Sequence, residues 1–391
     1  MELGTRAVHV ANPPLEQGSS PLSVPLVQSS AFAFASADEL AGAMAGPDGP
    51  YVYSRRGNPT VRALETTLAG LEGGSGAIAF ASGMGAISGV LLSRLKPGDR
   101  VVAQRCLYGG TYAVLSDLAA RYGVHVTYIS GDSVAEFERA VAEAEPAPRL
   151  LVLETIANPT GQVADLPGLL AAARRLGVTS MVDSSLASPV LCRPIELGAD
   201  IVVHSTTKYL SGHSDVLGGA AVFADDALRR AVWPRTVELG ACADPFAAWL
   251  TLRGIPTLPL RMRQHCANAA VLAERLAARD DVVAVHYPWL AGHPSYDTAR
   301  AVLAGGGGLL SFELAGGREA GRAFIERVRV ARLALSLGGV ESLVTHPAST
   351  SHRELDADAL AAAGIGAGLV RMSVGIEAVE DLWDDIVQAL K

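Results

Sequence analysis

The stretch that decides the fold runs from Ala199 to Gly219, ADIVVHSTTKYLSGHSDVLGG. Ile201-Val202-Val203 is a short β-branched run between polar residues, which is how a buried strand reads. His204, Ser205, Thr206, Thr207 and Lys208 follow it. A lysine just past a buried strand is partly desolvated. Burial disfavours the ammonium form and leaves a nucleophilic amine. Hydroxyls at Ser205 and Thr207 flank one position and can hold phosphate oxygens. An activated amine beside a phosphate seat suits a Schiff base between Lys208 and pyridoxal phosphate (PLP). The alternative is a strand that ends in an ordinary exposed lysine, and this segment alone does not decide between the two.

Upstream, strands and helices alternate. Strands are expected at Ile78–Ala81, Val101–Ala103, Val124–Ile129, Leu150–Leu153 and Ser180–Asp183, and a further one follows at Gly219–Phe223. Helices are expected from about Gly85 to Arg94, up to Arg121, over Val134–Ala144 and over Leu166–Leu176. This order implies an α/β fold, a mostly parallel sheet with helices on both faces. Ligands of such sheets bind at the carboxyl ends of the strands. Gly83, Tyr108, Asn158, Asp183 and Lys208 all fall at such ends. Ser82-Gly83-Met84-Gly85 is a small-residue turn before a helix, so the main-chain N–H groups of Gly83 and Met84 are candidate phosphate contacts. A dinucleotide-binding reading is weaker, because Gly83 and Gly85 are followed by Ala86-Ile87-Ser88 and GxGxxG is absent.

Composition narrows the class. The 391 residues are 49% hydrophobic, enough for large cores, and the net charge of −8 argues against a nucleic-acid binder. No apolar stretch reaches the ~18–20 residues that cross a bilayer, and no membrane partner is expected. The N-terminus MELGTRAVHVANPP lacks a basic flank ahead of an apolar core, so no leader is expected. Cys106, Cys192, Cys242 and Cys266 are widely spaced, without a CxxC pair, which implies reduced thiols, a cytoplasmic location and no metal site.

Residues 1–50, rich in Pro, Ser, Gly and Ala, read as an extended arm for subunit contacts. Pro13-Pro14, Pro21, Pro25, Pro47 and Pro50 break any long element. Its apolar part, Val24–Phe34, is expected to lie on another part of the protein or another subunit. YVYSRRGNPT (51–60) is a cationic and phenolic loop that alone would pass for a surface turn. A large domain is expected over 51–248 and a smaller α/β domain over 249–391. In the latter, strands are expected at Leu309–Leu314, Ala331–Leu337 and Leu369–Val374. Helices are expected over Pro245–Arg263 (broken near Gly254 and Pro256), Cys266–Ala278, Glu319–Val328 and Val379–Leu390.

Across nearly the whole length the chain resembles the PLP enzymes of cysteine and methionine metabolism: cystathionine γ-synthases and γ-lyases, methionine γ-lyases and O-acylhomoserine sulfhydrylases. The resemblance is carried by YSRRGNPT, FASGMGAI, LYGGTY, ETIANPTGQV, the run from Asp183 to Gly219, WLTLRGIPTLPLRMRQH, LSLGGVESLVTHPAS and LVRMSVGIE. It implies an aspartate-aminotransferase-like (fold type I) enzyme. Lys208 would carry PLP and move protons between Cα and Cγ. Asp183 would sit against the pyridine nitrogen, Tyr108 would stack on the ring, and Asn158 would touch the ring hydroxyl. Ser205, Thr207 and the Gly83 and Met84 amides would bind the phosphate. Tyr53 and Arg55 would reach it from a neighbouring subunit, making a dimer the active unit and a tetramer the expected assembly. Arg371 would clamp the substrate carboxylate, with Ser336 nearby.

The reaction is less constrained. The resemblance implies γ-elimination or γ-replacement on a sulfur-containing or O-acylated homoserine-type amino acid. Three departures bear on the choice. Ser184-Ser185 stands where the family commonly has Asn-Thr. Gly110 stands where methionine γ-lyases usually carry cysteine, as in the cystathionine enzymes. Leu335 stands where cystathionine-processing members usually carry a glutamate that meets a distal ammonium. Leucine cannot pair that charge. Leu335 therefore favours a small or apolar γ-substituent, Gly110 denies the methionine-lyase signature, and a cystathionine γ-lyase or γ-synthase stays open as the alternative. A non-catalytic scaffold would need none of Lys208, Asp183, Tyr108 and Arg371.

Overall fold

The computed structural model describes residues 1–11, 21–350 and 364–391. Pro13-Pro14 lies outside the described residues. The first sheet is built from β1 (Gly76–Phe80), β2 (Arg100–Gln104), β3 (His125–Ile129), β4 (Leu150–Glu154), β5 (Thr179–Asp183), β6 (Ile201–His204) and β7 (Gly219–Phe223). Its spatial order is β1-β7-β6-β5-β4-β2-β3. Strands β2 to β6 run parallel, while β7 lies antiparallel to both β1 and β6. The sheet is thus mostly parallel, as the sequence implies, with one reversed strand.

Both faces are buried, which is why the central strands are apolar without alternation. Val182, Val202 and Val222 face one core, with Leu64 and Leu68 of the helix Pro59–Glu72. Met181, Ile201, Val203 and Ala221 face the other, with Ile87 and Leu91 of the helix Gly83–Arg94. After β2 the chain moves out to β3 and then returns to β4 on the other side of β2. That reversal opens a crevice between the loops leaving β2 and β4, and Tyr108 and Asn158 sit in those loops.

The second sheet has the order β10-β11-β12-β9-β8, made of β8 (Val282–His286), β9 (Leu309–Leu314), β10 (Arg332–Leu333), β11 (Leu343–Thr345) and β12 (Leu369–Ser373). Two of its strands, β8 and β11, are absent from the sequence reading. Strand β8 lies at the sheet edge with Val283 exposed, and β11 is three residues long, so neither presents a clear period. The expected strand Ala331–Leu337 shrinks to Arg332–Leu333. Ser336 takes a φ of 97°, which ends the extended run.

The expected break near Gly254 and Pro256 is a turn of 3₁₀ helix at Ile255–Thr257. The helix then resumes at once over Leu258–Ala277, so the segment expected from Cys266 is its second half. Among its described residues, the N-terminal arm contains two short helices, Leu3–Val8 and Ala37–Ala43. Its apolar part packs partly on its own chain. The Val24 carbonyl accepts from Trp249 Nε1 at 3.0 Å, and the Val27 N–H donates to Thr60 Oγ1 at 2.9 Å. Leu22 and Leu26 remain exposed.

Candidate active site

Lys208 follows β6 by four residues and is partly buried. Its Nζ donates to Ser336 Oγ at 2.7 Å. Burial pushes its pKa down, and the positive charge of Arg371 adds to the effect. The same Ser336 uses its carbonyl to accept from a terminal nitrogen of Arg371 at 2.8 Å. One residue in a left-handed conformation thereby holds both cations. Arg371 sits mid-strand on β12 between Ser311 and Thr345. Its Nε is buried without a hydrogen-bond partner. A partly buried guanidinium with an unused donor fits an anionic ligand arriving beside Lys208.

Asp183 ends β5, in register with Glu154 of β4 and Val203 of β6. Burial raises its pKa, while the hydroxyl and the N–H of Ser185 lower it, helped by His204. The Ser185 N–H lies 2.9 Å from Asp183 Oδ1. Glu154 is pushed well above the usual carboxylate range by burial first and by the Asp183 charge second. Two carboxylates side by side away from water do not both ionise readily, and Glu154 is the one pushed further up. Glu154 also accepts the Tyr108 N–H, which ties the loop after β2 to the end of β4. Behind β6, His204 Nε2 meets Glu72 Oε1 at 2.6 Å, both side chains fully buried.

The candidate phosphate seat is the start of the helix Gly83–Arg94. Ser82 caps it, accepting from the Gly85 N–H at 3.0 Å. A Cβ on Gly83 would stand 2.8 Å from the Cβ of Ser205. Only glycine lets the helix end and the β6 loop close on one another. Thr207 is partly committed elsewhere: its hydroxyl accepts from the Gly218 N–H at 2.9 Å and donates to the Gly218 carbonyl at 3.2 Å. Asn158 is partly buried in the loop after β4.

The remaining candidates point outward. Tyr108 is 49% exposed, and a Cβ on Gly110 would come within 2.6 Å of its ring and 2.7 Å of Met84 sulfur. Tyr53 is 45% exposed with Arg55 stacked 5.7 Å over its ring, and Arg55 donates to the Val237 carbonyl at 2.9 Å. Among the described residues, no hydrogen bond or ion pair joins Tyr53 or Arg55 to the group around Lys208. Leu335 is 65% exposed beside Ser336.

The comparisons with known proteins agree along the whole chain. The family described as Cys/Met metabolism PLP-dependent enzyme matches residues 4–391. The chain belongs to this family. It is 43% identical to an L-methionine γ-lyase of Pseudomonas putida over 388 residues, covering 99% of this chain and 96% of that protein. It is 40% identical to a cystathionine γ-synthase of Mycobacterium tuberculosis over 386 residues, with 99% and 96% covered. A crystal structure of cystathionine γ-synthase from Xanthomonas oryzae pv. oryzae, in complex with aminoacrylate and cysteine, superposes with a TM-score of 0.92 at 40% identity, covering 100% of this chain and 98% of that one. A cystathionine γ-lyase from Micromonospora echinospora gives 0.91 at 39% identity, with 100% and 99% covered. The protein is a PLP-dependent enzyme with the α/β fold of that group.

The residues present fit the cofactor. A partly buried amine, a partly buried carboxylate and a glycine-lined helix end lie at neighbouring strand ends. Three participants escaped the sequence reading: Glu154, the His204–Glu72 pair and the bridging role of Ser185. Glu154 carried a usable signal, a carboxylate ending an apolar strand as Asp183 does. The pairing of Glu72 with His204, 132 residues apart, carried none.

Proposed function

We propose that this enzyme eliminates or replaces the γ-substituent of a methionine-like, homocysteine-like or O-acylhomoserine substrate. The observation that carries the reading is the Lys208 amine, held by Ser336 beside the half-satisfied guanidinium of Arg371. When bound, PLP supplies an electron-accepting ring conjugated to the substrate's Cα. Arg371 takes the substrate carboxylate and sets Cα beside Lys208 Nζ. Lys208, whose pKa burial lowers, is placed to take a proton from Cα and deliver one further along the side chain. Asp183, whose carboxylate accepts the Ser185 N–H, would sit against the ring nitrogen of the bound cofactor. Tyr108 closes the outer face of the crevice and stands at the leaving group.

Leu335 supports a small or apolar γ-substituent, since nothing on that side chain can pair a distal ammonium. The second reading, a cystathionine γ-lyase or γ-synthase, is favoured by Gly110. A cysteine there would run into the Tyr108 ring unless the ring turned. Tyr53 and Arg55, exposed and unconnected to their own chain's Lys208, support a dimer in which each subunit completes its neighbour's phosphate site, with dimers paired as tetramers. The cysteines are all free, which supports a reducing, cytoplasmic setting.

A substrate panel on the PLP-loaded enzyme tests this, scoring 2-oxo acid, thiol and replacement product separately. Methionine, homocysteine or an O-acylhomoserine should outrun cystathionine. Preference for cystathionine establishes the second reading, and no turnover of any of them leaves only the scaffold.

A further inference from the structure

Arg371 of β12 lies directly across from Ser311 of β9, and the same register puts His286 of β8 and Thr345 of β11 in their row. Residues paired directly across antiparallel strands project to one face of the sheet. Ser311 is fully buried there, and its hydroxyl donates to the Pro159 carbonyl at 2.9 Å. Pro159 follows Asn158 in the loop after β4, so this bond joins the strand beside Arg371 to the loop of a candidate cofactor contact. The segment between β8 and β9 grips the same loop twice more. His293 Nδ1 accepts the Ser295 N–H at 3.1 Å, so the ring proton sits on Nε2, which donates to the Thr160 carbonyl at 3.2 Å. Ser295 Oγ accepts the Val163 N–H at 3.1 Å. Of these three bonds, the one from Ser311 is nearest to Asn158 in the chain and comes from the strand paired with Arg371.

We propose that Ser311 is a positioning residue that fixes the strand bearing Arg371 against the cofactor loop, so that a substrate's carboxylate and its Cα come into register with the ring. This rests on the assignment of Arg371 to the substrate carboxylate and of Asn158 to the ring hydroxyl, and goes beyond both by naming what sets one against the other. Arg371 does not do so itself. A terminal nitrogen donates to the Ser336 carbonyl and its Nε has no partner. Among the described residues, no bond of Arg371 reaches the loop after β4. The link runs instead through the pairing of β12 with β9 and then through the Ser311 hydroxyl. Pro159 is buried and lacks an N–H, so its carbonyl is the one main-chain group by which the loop can be held at that residue. Losing the Ser311 hydroxyl strands this carbonyl, which has no other hydrogen-bond partner among the described residues. The loop then shifts against β9, while Lys208, Asp183 and the helix end at Gly83 keep the bonds they have.

The test compares Ser311→Ala, Ser311→Thr and Ser311→Val with the parent as PLP-loaded enzymes, using two probes that have no γ-leaving group. Norvaline carries the amine and the carboxylate of an amino-acid substrate, and butylamine carries the amine alone. Their dissociation constants are read from the change each causes in the bound-cofactor absorbance, and the PLP dissociation constant is measured alongside. Ser311→Ala and Ser311→Val should bind norvaline about tenfold more weakly, the scale of one stranded hydrogen-bonding group, with butylamine and PLP within about twofold of the parent. Ser311→Thr should recover the norvaline affinity. Threonine and valine differ by the hydroxyl alone, so that pair decides the matter if the alanine variant does not fold. Norvaline affinity in Ser311→Val equal to that of the parent or of Ser311→Thr would overturn the proposal, as would an equal weakening of norvaline and butylamine. A parent that binds norvaline no better than butylamine breaks the assignment of Arg371 instead, and the proposal falls with it.

Discussion

The strand ends around Lys208 and the exposed candidates Tyr53, Arg55, Tyr108 and Leu335, called the lip below, differ in how they are held. At the strand ends, the side chains are held by hydrogen bonds to one another or to the main chain: Lys208 to the Ser336 hydroxyl, Arg371 to the Ser336 carbonyl, Asp183 to the Ser185 N–H, Ser185 to the Ser205 N–H and Glu154 to the Tyr108 N–H. On the lip, the large side chains face outward and are about half exposed or more. One chain brings the first group together without help. In the dimer proposed above, a neighbouring subunit would complete the site. On that proposal the cofactor chemistry is written into a partly buried network, whereas the choice of substrate rests on a few exposed residues that tolerate change.

If that division is right, disturbing the network should cost far more than disturbing the lip. Lys208→Ala should lower turnover by at least about 10³-fold, since proton transfers at the substrate lose their base, measured with single-turnover kinetics on the best substrate of the panel. Residual turnover near the parent's would place the base elsewhere.

The next effect is on stability. His265, fully buried on the helix Leu258–Ala277, donates from Nδ1 to the Val374 carbonyl at 2.7 Å, and burial lowers its pKa from 6.5 to about 4. The unfolded chain binds the extra proton between those values. The stabilisation is therefore full above pH 6.5 and is lost as pH falls through 4, by roughly 3 kcal/mol at most. Urea unfolding at neutral pH and near pH 4 should show this loss, and His265→Asn should flatten it. An unchanged pH slope in that variant would refute the assignment.

On the lip, Arg55→Ala should weaken PLP retention by about tenfold, one charge-assisted contact. Mixed with Lys208→Ala subunits it should regain activity, because one site of each mixed dimer carries neither lesion. Failure to regain activity would mean that the sites are not shared. The smallest effect belongs to Leu335→Glu, which should shift the ratio of cystathionine to methionine use by up to about fivefold, the worth of a partly exposed ion pair. An unchanged ratio would remove Leu335 from the specificity argument.

The same division governs how much the sequence revealed. The first sheet was legible because β-branched runs end in turns of small or polar residues, and each run marks where a ligand can sit. Asp183, Lys208, Gly83, Tyr108 and Asn158 could be placed at strand ends on that basis alone. The second sheet was less so. Val282–His286 is an edge strand with an exposed valine, and Ser336 interrupts what alternation makes look like one strand. The helix Ala37–Ala43 did carry a sign, since Ser36 accepts from the Glu39 N–H at 3.2 Å and Glu39 accepts the Ala35 N–H at 3.3 Å, close to a capping box. What no local pattern holds is the set of long-range bonds. Glu72 with His204, and Ser336 with both Lys208 and Arg371, depend on how separate elements meet.

The most direct test of the central claim uses the scarcity of lysine. The chain has three, Lys96, Lys208 and Lys391, and the first and last are exposed. The PLP-loaded enzyme should be yellow, should lose its visible band on borohydride reduction, and should carry the reduced cofactor on the peptide containing Lys208 alone. A label on Lys96 or Lys391, or a protein that takes up no cofactor, would contradict the account.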